Sequence, residues 1–448
     1  MTVRPDTGTA RTRTDTDADP ARSGPARTRT AGTGTPRGAA DSPGAAPAPT
    51  AGAARARFAP LFARIADGAV ERERDRVLPH EVLRELREAR FGAITVPTSH
   101  GGLGLGLADS IDLLSDLAEA DSNVAHVWRG HLEFVEDQLS LAPSPTRDEW
   151  LRRIADGELV GNAWSERGTA EVGTTGTRLV EAEDGTLTVH GTKYYTTGTL
   201  YADWTDVTVG PDGAADTAVA VRVDQPGVTV LDDWDGFGQR HTGTGTVVFD
   251  GAVVRPEHVF AGIERAPHQT PYFQLVLDAV LTGIARAVER DAVARVTGRD
   301  RVYSHGNADR TRDDPQIQAI VGELSATAFT AQALLRRAAE VVERVAQAAR
   351  DGSRPPGLGD LVATAGADVY RAQTVLSDAV PAAASHLFDA LGASGVSVDT
   401  ALDRHWRNAR TVASHNPQVF KRRIVGAWAL DATPPPTAWA IGVVTGAS

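Results

Sequence analysis

A histidine next to a helix-breaking pair is the clearest chemical signal in the sequence. The stretch RHWRNARTVASHNPQVFK, residues 404–421, places His415 directly before Asn416 and Pro417. Asparagine is a good helix N-cap and proline is favoured at the first helical position, so one helix should end near His415 and another should begin at this pair. Imidazole has an ordinary pKa of about 6.5 and can give or take a proton at neutral pH. At a helix C-terminus the helix dipole would favour the protonated form by roughly 0.3–1 kcal/mol.

A second histidine, His405, lies in the same stretch. His405, Asn408, Val412 and His415 follow three-four-three spacing, which places them on one helix face. We interpret His405 as a packed or hydrogen-bonded histidine rather than a second catalytic group. The interleaved arginines are most simply helix-surface or inter-subunit ion pairs: Arg404, Arg407 and Arg410.

The composition excludes several classes of protein. The 448 residues carry a formal net charge of -12, which argues against a nucleic-acid partner because phosphate-binding proteins cluster lysine and arginine. Cysteine is absent, so disulfides, thiolate metal sites and cysteine nucleophiles are excluded. With no HExxH and no carboxylate-histidine cluster, we expect no bound metal. No apolar run reaches the ~18 residues that span a bilayer, and no secretory signal is evident, so we expect a cytoplasmic protein without membrane contacts.

Apolar spacing divides the chain into four segments. Residues 1–54 are predicted to be a disordered tail, because they are too poor in apolar residues to offset the entropy lost on ordering. In residues 55–157 apolar residues recur at intervals of three and four positions, which predicts an N-terminal helical domain. Residues 158–262 alternate and contain an EDGT hairpin signal, which predicts a central antiparallel β-domain. Helical spacing returns over 263–448 in lengths suited to a C-terminal helical bundle, and the fold class is therefore α+β.

Four motifs in this order resemble the acyl-CoA dehydrogenase superfamily. GNAWSERGT, from Gly161, resembles the strand under the flavin ring, and HGTKYYTTGTLYADW, from His190, resembles the strand with the Lys-aromatic-x-(Ser/Thr)-(Asn/Gly) pattern. GFGQRHTGTGTVVFDGAVV resembles the turn and strand that close the β-domain, and LFDALGASGV resembles the Leu-Gly-Gly turn before the last helices. The resemblance runs from about Leu78 to Trp439. It implies the acyl-CoA dehydrogenase fold, with a flavin between sheet and bundle.

The C-terminal motif separates the branches of this superfamily. In many straight-chain acyl-CoA dehydrogenases a glutamate takes the α-proton of the thioester, and Thr411, which is not a base at neutral pH, stands at that position here. The Arg-Thr-x-x-x-His-(Asn/Asp)-Pro pattern around His415 instead resembles the flavin-dependent monooxygenase branch, the dibenzothiophene monooxygenase-like enzymes. That resemblance implies a homotetramer that receives reduced FMN from a separate NAD(P)H:flavin reductase. With O2 it would form a flavin C4a-hydroperoxide and oxygenate a small organic substrate.

The same resemblance implies roles for individual residues. His415 would exchange a proton beside flavin C4a, and His126 matches a histidine that lines the active site. Asn162 would hydrogen-bond the hydroperoxide or the ring, Tyr195 would pack against the isoalloxazine, and Thr197 would present its hydroxyl to N5. The implied catalytic set is His415, His126 and Thr197, and the implied cofactor-binding set is Asn162, Tyr195, Thr197 and Arg301.

Some positions depart from the resembled enzymes or stay open. Arg301 would contact the flavin phosphate, usually across a subunit interface, and Arg299 is close enough to take its place. A second phosphate arginine is Ser394 here, which leaves FMN preferred and FAD possible. Gly130 stands where a pocket tyrosine is expected, which removes a ring and a hydroxyl. Further candidates for shaping the substrate pocket are Trp128, Trp234 and His241.

Two other functions are compatible with the sequence. One is an FAD-dependent acyl-CoA dehydrogenase-type oxidoreductase that takes its base from elsewhere in the chain. The other is a non-catalytic helical assembly module that has lost its flavin, which the set of flavin-contact residues opposes. The sequence leaves the substrate open, including whether sulfur, nitrogen or an aromatic carbon would be oxygenated.

Overall fold

The elements follow the order helices, strands, helices. The computed structural model describes residues 48–168, 174–210, 217–260 and 265–438. The first helices of this part are α1 Ala51–Asp67, α2 Ala69–Asp75, α3 His80–Glu88, α4 Leu107–Ala120, α5 Ser122–Val127, α6 Arg129–Ser140 and α7 Pro145–Ala155. The strands and the later helices follow in that order, which confirms the predicted α+β architecture.

The predicted tail ends too late. Its residues up to 47 lie outside the described ranges, but α1 already begins at Ala51, and the Thr50 Oγ1 accepts the Ala53 N–H at 3.2 Å as an N-cap. The boundary at residue 54 was therefore wrong. The first turn of α1 consists of small residues without apolar spacing, and its first buried contact, Ala54, is one methyl group.

Within the described residues, the β-domain consists of two four-stranded sheets. Their strands are β1 Val160–Ala163, β2 Arg178–Glu181, β3 Leu187–Tyr194, β4 Trp204–Val209, β5 Thr217–Arg222, β6 Val228–Val230, β7 Thr246–Val254 and β8 Val259–Phe260. The strand orders are β1-β4-β5-β8 and β2-β3-β7-β6. The EDGT signal does form the β2–β3 hairpin, with Gly185 at φ 83°. One pairing departs from the antiparallel prediction: β1 and β4 are parallel, because the β2–β3 hairpin in the other sheet separates them as a crossover.

The last helices form the bundle, and the N-terminal block joins it. They are α8 Gln269–Thr297, α9 Pro315–Ala348, α10 Leu358–Leu391, α11 Asp403–Ala413 and α12 Gln418–Asp431. Helix α4 packs against α8 and α9, so that residues such as Leu114 and Val280 belong to one apolar cluster. The two helical segments therefore share a core, and strand β1 packs against α6. None of the described helices is both long and apolar enough to cross a bilayer.

Candidate active site

Two histidines that are far apart in sequence lie side by side. The ring centroids of His126, in α5, and His415, just after α11, are 6.2 Å apart. Helix α5 is fixed at its start by Asp121, whose carboxylate accepts two backbone N–H groups. His415 donates its backbone N–H to the Val412 carbonyl, which holds it in the last turn after α11. The tertiary structure therefore brings together the two histidines that the resemblance implied.

Both imidazoles are held in the neutral form. Burial, with a smaller contribution from the charge of Arg129, lowers the pKa of His126 to about 3. The surrounding protein, and then the charges of Arg129 and His126, also lower the pKa of His415 well below its ordinary value. The helix-dipole expectation for His415 was therefore wrong, because desolvation and neighbouring cations outweigh the dipole. A neutral imidazole can donate one hydrogen bond and accept another.

The exposure of the two histidines differs. His126 is 5% exposed and neither of its ring nitrogens has a hydrogen-bond partner. His415 is exposed to solvent, and the protein around it nevertheless lowers the pKa of its imidazole. We call the surface around His126, Asn162, Tyr195, Thr197 and His415 the histidine cleft.

The Asn-Pro pair after His415 is used differently from the prediction. Helix α11 ends at Ala413 and α12 begins at Gln418, so the predicted break is confirmed. The N-cap is Pro417, without a side-chain cap, and Asn416 was wrongly assigned to that position. The Asn416 amide instead donates to the Gln274 side chain of α8 at 2.8 Å. This bond ties the loop that carries His415 to the helical bundle.

The predicted flavin-contact residues surround the same cleft. Asn162, in β1, donates from Nδ2 to the Tyr195 carbonyl at 3.4 Å, and its Oδ1 is buried without a partner. Tyr195 has φ 70° and is 47% exposed, with its ring against Trp234. A residue with a side chain rarely adopts such a φ, and strain of this kind is found at functional sites. Thr197 lies two residues further on and is buried.

The hydroxyl of Thr197 starts a chain of hydrogen bonds. Its Oγ1 is 2.7 Å from the Thr244 Oγ1, which is 2.7 Å from the Thr242 Oγ1. Thr242 in turn donates to the Gln239 carbonyl at 2.9 Å. Gly198, at φ 84°, lets this turn approach the Val127 carbonyl next to His126. The chain therefore links the end of β3 to the histidine side of the cleft.

Gln239 is a site residue that sequence reasoning missed. It is 1% exposed, has φ 52°, and neither atom of its side-chain amide has a partner. Its amide lies close enough to His126 to affect the pKa of that imidazole. The Asn408 Oδ1 accepts the Gln239 backbone N–H at 2.7 Å and fixes this unusual backbone conformation. The motif GFGQRHTGTG contained Gln239, but only its conformation and burial distinguish it from an ordinary turn residue.

Gly130 lies at a close contact between α6 and β1. A Cβ added there would lie 2.9 Å from both the Cβ and the Oδ1 of Asn162. The first turn of α6 therefore packs directly on β1, next to Asn162. The other pocket candidates differ: Trp234 contacts Tyr195, whereas Trp128 and His241 are buried.

This contact leads to a prediction for Gly130→Ala. We expect overpacking of about 1–3 kcal/mol, which outweighs the ~1 kcal/mol that alanine gains over glycine in a helix. The matched control is Gly322→Ala in α9, an exposed helical glycine with open space around it, which should gain stability. Urea unfolding of the three proteins measures both effects. Equal stability gains in both variants would show that α6 can move away from Asn162.

The second histidine of the C-terminal stretch is structural, as interpreted. The His405 Nε2 donates to the Asp291 carboxylate at 2.8 Å, and Arg404 contacts the same carboxylate at 2.7 Å. Arg407 pairs with the buried Glu73 at 2.6 Å. The surface or inter-subunit interpretation was therefore wrong for Arg404, which makes a buried ion pair within the chain. Arg407 also makes the expected helix-surface ion pair, with Asp403 at 2.8 Å. Arg404 and Arg407 face inward because α11 packs against α8 and the N-terminal helices.

The position of the dehydrogenase base offers no base. The Thr411 hydroxyl donates to the Arg407 carbonyl one turn earlier, at 2.9 Å. His131, the other histidine near His126, has both ring nitrogens bonded to backbone groups, at 2.9 Å and 3.1 Å. Among the described residues no group of three or more acidic and histidine side chains is arranged to hold a metal ion.

Arg301 is not brought to the cleft within this chain. It is exposed in the loop after α8, and its carbonyl accepts the Thr311 hydroxyl at 2.9 Å. Arg299 donates to the Leu391 carbonyl at 2.9 Å, and Ser394 donates to the same carbonyl at 3.0 Å. The guanidinium of Arg299 is thus engaged within its own chain, which favours Arg301 as the arginine available to a ligand.

Comparison with known proteins identifies the class of the fold. Residues 55–158 match the family model of the acyl-CoA dehydrogenase N-terminal domain, and residues 275–419 match that of the C-terminal domain. The two models together match more than half of the chain. The chain belongs to the acyl-CoA dehydrogenase superfamily.

Individual relatives narrow this class. The dibenzothiophene monooxygenase of Rhodococcus erythropolis is 28% identical over 380 residues, which is 81% of this chain and 89% of that protein. A Pseudomonas putida protein named as a probable FMNH2-dependent monooxygenase is 26% identical. The match covers 84% of this chain and 95% of that protein. The FMN-bound crystal structure of TdsC, a dibenzothiophene monooxygenase from Paenibacillus sp. A11-2, is 27% identical and has a TM-score of 0.79. The match covers 86% of this chain and 99% of that chain. Within the superfamily, the chain belongs to the flavin-dependent monooxygenase branch.

Proposed function

We propose that this chain is the oxygenase of a two-component flavin monooxygenase. It would take reduced FMN from a separate NAD(P)H:flavin reductase, react it with O2 to a C4a-hydroperoxide, and transfer one oxygen atom to a small organic substrate. The observation that carries this proposal is the pair of neutral histidines, His126 and His415, whose ring centroids are 6.2 Å apart. Thr411, without acid-base capacity at neutral pH, stands at the position of the dehydrogenase base.

The polar groups of the histidine cleft fit a flavin ring. Isoalloxazine needs hydrogen-bond donors and acceptors along its edge and an aromatic or apolar face. Asn162 offers an unpartnered Oδ1, Thr197 a hydroxyl already oriented by Thr244, and Tyr195 an exposed aromatic ring. FMN bound in this cleft would supply the redox chemistry that activates oxygen, for which the chain has no side chains of its own.

We assign separate tasks to the two histidines. His415, at the open side of the cleft, exchanges the proton that oxygen activation requires, because its ring is accessible and its neutral form can accept or relay a proton. His126, with both nitrogens unpartnered in the buried wall, hydrogen-bonds the bound groups and excludes water from them. Thr197 and Asn162 hold the flavin edge from the β-domain.

We infer that the protein is a homotetramer in which Arg301 of one subunit contacts the phosphate of the flavin bound to a neighbouring subunit. Arg301 is exposed outside the cleft of its own chain, so it can serve a flavin only in another copy. Guanidinium suits a phosphate because its donors match two oxygens at once. Arg299 is engaged with Leu391, and Ser394 stands in place of the second arginine, which weakens the phosphate site. The preference for FMN over FAD is supported instead by the similarity to an FMN-bound structure.

Colour and oxygen consumption test the proposed function. We expect the purified protein to be largely colourless and to bind reduced FMN at micromolar concentration. When a flavin reductase and NADH supply reduced FMN in aerated buffer, the protein should slow the oxidation of that FMN. An FAD-dependent dehydrogenase would instead purify yellow and be bleached by an acyl-thioester under anaerobic conditions. Absence of reduced-flavin binding would support the non-catalytic assembly module and overturn both enzymatic hypotheses.

A further inference from the structure

A buried arginine beside the two histidines has no carboxylate partner. Arg129, the first residue of α6, is 6% exposed, and its Nε has no hydrogen-bond partner. No carboxylate of the described residues forms an ion pair with it. The other buried arginines of this part of the chain pair with a carboxylate at 2.6–2.8 Å: Arg72 with Asp121, Arg147 with Asp351, and Arg404 with Asp291. A charge buried without such a partner costs free energy, so it calls for a functional explanation.

The guanidinium is fixed on the helical side of the histidine cleft. Its Cζ lies 4.1 Å from the ring centroid of Phe273 in α8, a cation–π contact. The ring of Phe273 stands edge-on to that of Trp164, the residue directly after β1. The ring centroids are 5.4 Å apart and the ring planes meet at 85°. Arg129 follows His126 by three residues, where α5 gives way to α6, and His126 lies beside His415. The charge of Arg129 lowers the pKa of both histidines, which agrees with this placement.

The surrounding carboxylates compensate this charge only from a distance. Glu133, one turn further along α6, is buried and acts favourably on the charge of Arg129. Burial together with Asp137 raises the pKa of Glu133 well above the ordinary value, which weakens this compensation. No carboxylate of the described residues forms an ion pair with Arg129, and its Nε–H is left for a ligand.

We propose that Arg129 binds an anionic substituent of the substrate, a carboxylate or a sulfur oxyanion, beside His126 and His415. This inference rests on the proposed function and narrows its substrate class to small organic acids. Guanidinium matches such groups because two parallel N–H donors meet two oxygens. The same chemistry could come from the reduced flavin, whose ring becomes anionic at N1, and the binding experiment separates these two sources.

Thermal unfolding separates a ligand-binding role from a structural one. We expect Arg129→Met to leave the melting temperature unchanged or to raise it, because it removes a buried charge with which no carboxylate of the described residues forms an ion pair. The matched control is Arg404→Met, which removes a buried arginine from its ion pair with Asp291 and should lower the melting temperature by several degrees. A decrease for Arg129→Met as large as that of the control would assign Arg129 to the fold and overturn the proposal.

Calorimetric binding of matched probes tests the anion directly. Benzoate and benzenesulfinate should bind the wild-type protein at least ~10-fold more tightly than benzamide, and Arg129→Met should lose this preference while its affinity for FMN stays unchanged. The absence of an anion preference in the wild type would overturn the proposal. A loss of FMN affinity with no change for benzoate would assign Arg129 to the flavin and also overturn it. Neither result touches the proposed function, which fails separately if reduced FMN does not bind.

Discussion

Replacing His415 by alanine is expected to slow formation of the oxygenated flavin by about 10²–10⁴-fold, the usual contribution of a positioned acid-base group. The expectation follows from its place in the cleft: its ring is accessible, neutral, and 6.2 Å from the ring of His126. In the measurement, protein with reduced FMN under anaerobic conditions is mixed with aerated buffer in a stopped-flow instrument. The absorbance is then followed at the boundary between the ultraviolet and the blue. The wild type should accumulate the absorbing species and His415→Ala should show little of it.

His386→Ala serves as the control for this measurement. His386 is a partly exposed histidine of α10 that pairs with Asp389 at 2.7 Å and Glu323 at 3.1 Å on the bundle surface. Its removal should leave the absorbance trace unchanged. Superimposable traces for wild type and His415→Ala would remove His415 from the mechanism. A trace altered equally in both variants would point to a general effect of losing a histidine.

Replacing Asp291 by alanine is expected to cost about 3–5 kcal/mol of unfolding free energy, because it leaves buried donors and charge without an acceptor. Its carboxylate meets Arg404 at 2.7 Å, His405 at 2.8 Å and Arg290 at 3.0 Å. These bonds anchor α11, which carries Asn408 and leads to His415. Urea unfolding measures the loss. Asp389→Ala, which removes an exposed partner of His386, should cost only ~0–1 kcal/mol, and an equally small loss for Asp291→Ala would contradict the anchoring role.

The stability lost in Asp291→Ala should depend on pH. Burial would raise the pKa of Asp291, but the hydrogen bond from His405 and the charges of Arg404 and Arg290 outweigh it and hold the pKa well below the ordinary value. Burial lowers the pKa of His405 to about 4, so near neutral pH His405 contributes an N–H donor and the arginines supply the charge. A carboxylate with a depressed folded pKa stabilises above its unfolded pKa of about 4 and loses this contribution as the pH falls. The difference between wild type and variant should therefore be full near pH 7 and shrink below about pH 4.

The order of the elements was predictable because local signals agree with the tertiary structure. Apolar residues at three and four mark helices, alternation marks strands, and the EDGT turn produces the β2–β3 hairpin. The parallel pairing of β1 with β4 could not be predicted, since the sequence alone does not state which strands become neighbours. The start of α1 was missed because a first turn of small residues has no apolar pattern.

The candidate site divides in the same way. The types and positions of His126, Asn162, Tyr195, Thr197 and His415 could be identified from motifs. The tertiary structure places His126 beside His415 and Asn162 beside Tyr195. The pKa of His415 could not be predicted from its place after a helix. The surrounding protein and the charges of Arg129 and His126 set it, and those groups are far away in sequence.

By itself, the sequence determined the succession of helices and strands, the break after His415, and the absence of thiol chemistry, because each depends on residue types close together in the chain or on composition alone. Only the tertiary structure decided that Gly130 packs on Asn162, that Gln239 is buried beside His126, and that Arg129 lacks the carboxylate that other buried arginines have. The physical reason is that burial, electrostatic compensation and hydrogen-bond satisfaction depend on which distant segments become neighbours.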